Sequence, residues 1–409
     1  MPDHKKLVSL DVLRGIACLL VWISHIRVAT HYFMAPRYDA IQVVGAWGRE
    51  SVAIFFILSG IVINLSTQNS TDLWLYVKKR FIRVYPIYLA ILIICFSADH
   101  FIMHNPIDQK VLIGNTLLVS ALSGYPVQTM PLNPAVWSIS CEAFFYIVFG
   151  LLFKSNRIKC VWIWFIFSFL SIIVSAVCNF NFGIYSLVCY FLNNSFLWVL
   201  GYLIFEYRHQ LRTTLPVVIC GILMIPLVTR LHKLPPVLFE LSYCFEGIFL
   251  IPLFAFLLRN FRQKGETGHR PAVELKHVHL LFLYVAAVGL LWRYSDSTPA
   301  NKVIYSLVPL ASLLFYFPFF AGALQWAYSR IITFFTLLAD ISYPVYLVHM
   351  PMMFIIYYLL PGQKWAGMAI AIISTLLLSY IFEVYLFKKL AVFTKKPLAV
   401  TRPSEEPII

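Results

Sequence analysis

The sequence predicts an all-α protein, a polytopic bundle of about ten to twelve transmembrane helices with both chain termini in the cytoplasm. The chain has 409 residues, of which 60% are hydrophobic and 12% charged, and its mean hydropathy of +0.79 exceeds that of soluble domains. Apolar stretches of about twenty residues recur along it, each long enough to cross a hydrocarbon core about 30 Å thick. The chain has 32 Lys and Arg against 18 Asp and Glu, a net charge of +14. The Lys and Arg residues cluster between the apolar stretches, as expected of cytoplasmic loops.

The apolar stretches define the elements in chain order. We expect spans near residues 10–30, 43–65, 82–103, 135–153, 158–178, 184–205, 214–231, 237–258, 277–293, 302–326, 333–360 and 366–387. Basic residues alternate between the two sides, except for the segment with Arg230 and Lys233, which this order places outside. Residues 111–122 are too few to span and precede several prolines, which favours a re-entrant or interfacial segment. Residues 1–390 then form one transmembrane domain, and residues 391–409 a disordered cytoplasmic tail.

The composition also argues against other classes of protein. The eight cysteines form no CxxC pair and mostly lie inside apolar stretches, so the sequence indicates neither a disulfide framework nor a metal site. Because membrane orientation accounts for the basic residues, we expect a lipid bilayer as partner and no nucleic acid. The oligomeric state stays open.

Arg14 and His25 are ionisable residues inside the first predicted span. They are eleven residues apart, so at about 100° per residue they share one helix face, separated by roughly 16 Å along the axis. Asp11 lies one turn before Arg14 and is expected to pair with it. A charge in a span is costly, which favours a functional role for His25 over a packing role.

A second polar group lies at the start of the span near residues 135–153. Ser138, Glu142 and Tyr146 follow one another at four-residue spacing and therefore share one helix face. A carboxylate there can orient an imidazole or exchange protons with a substrate hydroxyl, and the alternative is a clasp between helices. Cys141 points elsewhere, which disfavours a thiol nucleophile.

Arg80 and Arg83 stand one turn apart at a cytoplasmic helix entrance, before Pro86. Two arginines at this spacing can grip one anion, and their position just inside the span favours a phosphate. His349 lies near mid-depth in a late apolar stretch between Pro344 and Pro351. A break of the helix around it would mark a cavity, and a simple kink with an incidental histidine is the alternative.

These residues together resemble the acyltransferase-3 family of bacterial integral membrane O-acyltransferases, which includes O-acetyltransferases of O-antigen and other polysaccharides. Five stretches carry the resemblance, in the family's order: residues 10–17 with His25, 55–60, 80–86, 137–146 and 342–351. One departure is Arg49-Glu50-Ser51, where the family usually carries a glycine and a valine.

The resemblance implies transfer of an acyl group, usually acetyl, from cytoplasmic acyl-CoA to a hydroxyl of a cell-envelope glycan such as lipopolysaccharide O-antigen. The enzyme would lie in the bacterial inner membrane, with acetyl-CoA as donor substrate, no permanently bound cofactor, and a glycan or lipid-linked sugar as acceptor. Arg14, Arg80 and Arg83 would hold the donor. His25 would be the general base or a transient acyl carrier, with Glu142, Ser138 and Tyr146 in support and His349 in the cavity.

Two other classes of function fit the same ionisable residues. A multi-pass transporter or flippase would use the buried Arg, His and Glu as a proton relay. A scaffold for glycan assembly would carry them as remnants of an inactive site.

Overall fold

The computed structural model describes residues 8–32, 47–68, 72–121, 127–178, 184–229, 236–259, 273–294, 298–387 and 389. The expected tail at 391–409 and the basic segment at 230–233 lie outside these residues. The helices are α1 Val8–Tyr32, α2 Gly48–Thr67, α3 Leu73–Phe101, α4 Gln109–Thr116, α5 Trp137–Leu152, α6 Arg157–Cys178, α7 Ile184–Glu206, α8 Leu215–Thr229, α9 Pro236–Leu258, α10 His277–Tyr294, α11 Pro299–Leu307, α12 Pro318–Asp340, α13 Ser342–Leu359 and α14 Lys364–Ile381.

The all-α polytopic bundle is confirmed. Within the described residues, seven helices are long and apolar enough to cross a membrane, namely α1, α2, α3, α5, α6, α7 and α14. The pair formed by residues 301–316 and α12 would add an eighth as a broken span, bent by 95°. Three shorter apolar helices lie in α8, α9 and α10. Two short strands, β1 Leu211–Thr213 and β2 Val273–Leu275, pair in parallel and were not predicted.

Two predicted boundaries late in the chain are wrong. The expected spans 302–326 and 333–360 divide the chain inside α12, which runs continuously from Pro318 to Asp340. The helices break instead at Phe317, where Pro318 starts a new helix, and at Ile341. Proline suits the first turn of a helix, because backbone N–H groups there have no partner within the helix and the one that proline lacks is not needed. This explains why the chain breaks at Phe317.

The predicted span 82–103 begins too late. Helix α3 starts at Leu73, because the Asp72 side chain accepts a hydrogen bond from the Leu75 amide at 2.9 Å and caps the first turn. Arg80 and Arg83 therefore lie in the third turn and at the start of the fourth turn of this helix. The apolar segment after it forms only the short helix α4 at its start, in agreement with a stretch too short to span.

The centre of the bundle is the contact between α2 and α7, the two most buried spans. A Cβ atom on Gly60 would lie 2.0 Å from the Trp198 carbonyl oxygen, and one on Gly201 would lie 2.1 Å from that of Ile57. Only glycine allows this approach of the two backbones, so the pair fixes how close the helices pack. Helix α1 contacts α2, α12 and α13.

Candidate active site

A cavity of about 390 Å³ opens between α1, α2, α3, α5 and α13. Every predicted site residue except His25 and His349 lines it. The predicted residues on its wall are Arg14, Arg80, Arg83, Ser138, Glu142 and Tyr146, and they are joined there by Ser59, Ser342, Tyr343 and Tyr346. The expectation that Ser138, Glu142 and Tyr146 share one face is confirmed, since all three side chains reach the same cavity.

The three arginines of the cavity have different partners. Arg14 donates to Asp11 at 3.1 Å, as the sequence predicts. Arg83 lies 3.3 Å from both carboxylate oxygens of Glu383, at the far end of the chain. Arg80 donates to the Ser66 hydroxyl at 3.1 Å, and its Nε atom is buried without a hydrogen-bond partner. Among the described residues, Arg14 and Arg83 each pair with a carboxylate and Arg80 does not, which makes Arg80 the arginine best suited to an anionic ligand.

Glu142 belongs to the arginine end of the cavity. Ser59 donates to its Oε1 atom at 2.8 Å, and the Tyr146 hydroxyl donates to the same oxygen. Trp198 in turn donates to Ser59 at 3.2 Å, and the Arg80 guanidinium lies 5.7 Å from the centre of the Tyr146 ring. Glu142 thus contacts neither histidine. Ser59 was not among the predicted site residues, although it lies in the 55–60 stretch that carries part of the family resemblance.

Tyr346 connects the cavity wall to the histidines. Its hydroxyl donates to the Ala135 carbonyl at 2.8 Å, so the Ser138 hydroxyl donates to Tyr346 at 2.7 Å. Phe55 meets the Tyr346 ring edge to face, and His349 lies 5.9 Å from the same ring, between centroids. Phe55 and Tyr346 therefore form part of the cavity wall on the side of His349.

His25 and His349 form a direct pair behind this wall. His349 Nε2 lies 2.9 Å from His25 Nδ1, and the rings are 4.9 Å apart at 40°. His349 Nδ1 lies 3.0 Å from the Val345 carbonyl oxygen, which can only accept, so this nitrogen carries the hydrogen. In uncharged imidazoles, His349 Nε2 then accepts from His25 Nδ1–H. This assignment, which follows from the hydrogen-bond pattern, leaves the lone pair of His25 on Nε2.

Of the two alternatives for the helix around His349, a break is not observed, because α13 is continuous from Ser342 to Leu359. Pro351 lies inside the helix and offers no N–H to the Leu347 carbonyl four residues earlier. The Asn133 side chain donates to that carbonyl at 2.8 Å instead. The proline therefore leaves the helix intact and fixes it to the segment before α5.

Two buried carboxylates, Glu246 and Glu383, were not predicted. Glu383 follows α14 in a turn of π-helix, and Glu246 lies in α9, 3.7 Å from Arg49 and with no exposed surface. Arg49 also donates to Ser242 at 2.6 Å, which ties α2 to α9. Both glutamates could have been identified from the sequence, because each falls inside a predicted apolar span, where a charged side chain is costly and usually functional.

Comparison with known proteins decides the family. The sequence model of the Acyltransferase domain of the acyltransferase-3 type matches residues 7–384. The chain belongs to the acyltransferase-3 family. This membership supports an acyl-transferring enzyme and confirms the resemblance found in the five sequence stretches.

One curated relative of the acyltransferase-3 chain is Acyltransferase MdmB of Streptomyces mycarofaciens, which is 30% identical over 162 residues. The match covers 38% of this chain and 41% of that relative, well under two thirds of its length. No solved structure matches the chain.

Proposed function

We propose that this acyltransferase-3 protein is an O-acyltransferase of the bacterial inner membrane. It moves an acyl group, most simply acetyl from acetyl-CoA, from the cytoplasmic side to a hydroxyl of a cell-envelope glycan. The observation that carries the proposal is the cavity itself, which holds three arginines and ends at the wall in front of the His25–His349 pair.

The arginines are suited to the phosphates of coenzyme A. Guanidinium groups bind phosphate through charge-assisted hydrogen bonds, and Arg80 lines the cavity without a carboxylate partner among the described residues. Glu142 holds Tyr146, whose ring faces Arg80. Glu142 thereby acts as a positioning residue at the donor end, a different role from orienting His25. The distribution of Lys and Arg along the chain supports a cytoplasmic orientation of this end.

His25 Nε2 is the proposed general base. It takes the proton of the acceptor hydroxyl while that oxygen attacks the thioester carbonyl carbon. The carbon–sulfur bond breaks, and the sulfur of coenzyme A leaves and takes up the proton from His25. His349 fixes the orientation and tautomer of His25 through the 2.9 Å hydrogen bond. For the acyl end to reach His25 from the cavity, Phe55 and Tyr346 have to move aside.

The choice of acceptor rests on the family resemblance. A glycan or lipid-linked sugar such as lipopolysaccharide O-antigen supplies hydroxyls at the outer face, toward which His25 lies relative to Arg14 on α1. Envelope glycans from cells with and without the protein, compared by mass spectrometry, identify the acylated hydroxyl.

The test is release of free coenzyme A. Membranes containing the protein, given acetyl-CoA and envelope glycan, should produce free thiol that a chromogenic thiol reagent detects. His25→Ala should abolish this release. The matched control is His100→Ala, because His100 is exposed at the end of α3, hydrogen-bonded to the Asn105 carbonyl and outside the cavity. Thiol release that persists in His25→Ala contradicts the role of His25 as general base. If the wild-type protein releases no thiol, the alternative function as a transporter or flippase is favoured.

A further inference from the structure

The ion pair between Arg83 and Glu383 joins the cavity to the last apolar segment of the chain. Arg83 Nη1 lies 3.3 Å from each Glu383 oxygen, a long contact made through one nitrogen. The Arg83 guanidinium carbon lies 4.5 Å from the centre of the Phe387 ring and 5.6 Å from the centre of the Tyr343 ring. Arg83, Tyr343 and Phe387 line the cavity, whereas Glu383 stands behind it.

Glu383 changes the charge that the cavity presents. The side chain of Glu383 is only 10% exposed, whereas that of Arg83 is 31% exposed. A buried carboxylate acts through a low dielectric and is weakly screened, so it opposes any anion that approaches the same guanidinium. Arg80, by contrast, has no ion-pair partner among the described residues. The two arginines of one helix turn therefore attract phosphate with different strength.

We propose that Glu383 is a positioning residue that holds Arg83 on the cavity wall and limits its affinity for the donor's phosphates. This inference rests on the proposed function, since it assumes that the nucleotide part of acyl-CoA binds at the arginines. A weakened Arg83 lets coenzyme A leave after transfer, while Arg80 supplies most of the attraction. A merely structural glutamate would support folding without changing phosphate affinity.

The test compares coenzyme A binding to the full-length protein and to Glu383→Gln in lipid nanodiscs, by calorimetry at low and high salt. Glutamine keeps the size and one acceptor oxygen but removes the charge. We expect binding about fivefold tighter in Glu383→Gln at low salt, with the difference shrinking as salt rises. Unchanged or weaker binding overturns the inference.

The matched control is Glu206→Gln. Glu206 accepts from Asn64 at 3.2 Å and does not line the cavity, so its loss should leave coenzyme A affinity unchanged. Arg80→Ala separates this inference from the proposed function. If Arg80→Ala leaves coenzyme A affinity unchanged, the donor site itself is wrong. If Arg80→Ala weakens binding but Glu383→Gln does not tighten it, only the role of Glu383 fails.

A second pair of variants covers the case in which Glu383→Gln does not fold. Arg83→Gln alone leaves the Glu383 charge unpaired beside the phosphates, whereas Arg83→Gln with Glu383→Gln replaces the ion pair by two amides. The double variant should bind coenzyme A about fivefold more tightly than Arg83→Gln alone. Equal affinities would contradict the proposal.

Discussion

His25 and His349 form a hydrogen-bonded pair that the sequence could not show. The two residues are 324 positions apart, and only the packing of α1 on α13 brings Nδ1 and Nε2 within 2.9 Å. The sequence did identify both histidines, because each is ionisable inside an apolar stretch. It offered Glu142 either to orient an imidazole or to exchange a proton with the substrate, and the hydrogen bonds of Glu142 are made with Ser59 and Tyr146.

His349→Ala tests the positioning role at the scale of a single residue. Without its partner, His25 can rotate or hold its proton on the other nitrogen, so we expect the rate of transfer to fall. General base catalysis contributes about 100-fold to 10,000-fold, and losing the orientation should cost kcat about 10-fold to 100-fold. The KM for acyl-CoA should stay unchanged, because His349 does not line the cavity.

His349→Gln supplies the matched variant, since an amide oxygen can still accept from His25. It should restore part of the lost kcat. Steady-state kinetics of thiol release measures both variants. A rise in KM with no change in kcat would place His349 in donor binding and contradict the positioning role.

At the scale of the elements, apolar length predicted most helices and failed where polar side chains or prolines set the ends. Asp72 caps α3 earlier than hydropathy suggests, and Pro318 starts α12 inside an apolar run. A break or a kink was considered near Pro351, and α13 stays continuous because Asn133 donates to the carbonyl that the proline leaves free. Such compensation depends on a partner 214 residues away, which hydropathy cannot reveal.

The close contact of α2 with α7 predicts that a larger residue at Gly201 is destabilising. Gly201→Ala places a methyl group about 2 Å from the Ile57 carbonyl oxygen, which the backbone can relieve only by separating the helices. Because α2 carries Ser59 and α7 carries Trp198, the separation also disturbs the bonds that hold Glu142. We expect a lower melting temperature and reduced activity, measured by thermal unfolding in detergent and by thiol release.

Gly289→Ala is the matched control, because a Cβ atom at this glycine in α10 meets nothing within 4 Å. It should leave both melting temperature and activity unchanged or slightly improved, since alanine favours a helix. Equal stability of Gly201→Ala and Gly289→Ala would contradict the close contact of α2 with α7.

At the scale of the whole molecule, the bundle places arginines and histidines on a shared set of helices. Helix α1 carries Arg14 at the cavity and His25 beside His349, as their spacing predicts. The sequence could predict this separation along one helix from periodicity alone. It could not predict the wall of Phe55 and Tyr346 between the two ends, because the two residues come from different helices and look like ordinary packing residues.

The proposed path of the donor from the arginines to His25 is tested most directly by an electron cryomicroscopy structure of the protein with a non-hydrolysable acyl-CoA analogue. We predict phosphate density within hydrogen-bonding distance of Arg80, and the acyl carbonyl beyond Tyr346, facing His25 Nε2. Phosphates bound away from the three arginines, or an acyl group remote from His25, would contradict the proposed path from donor to histidine.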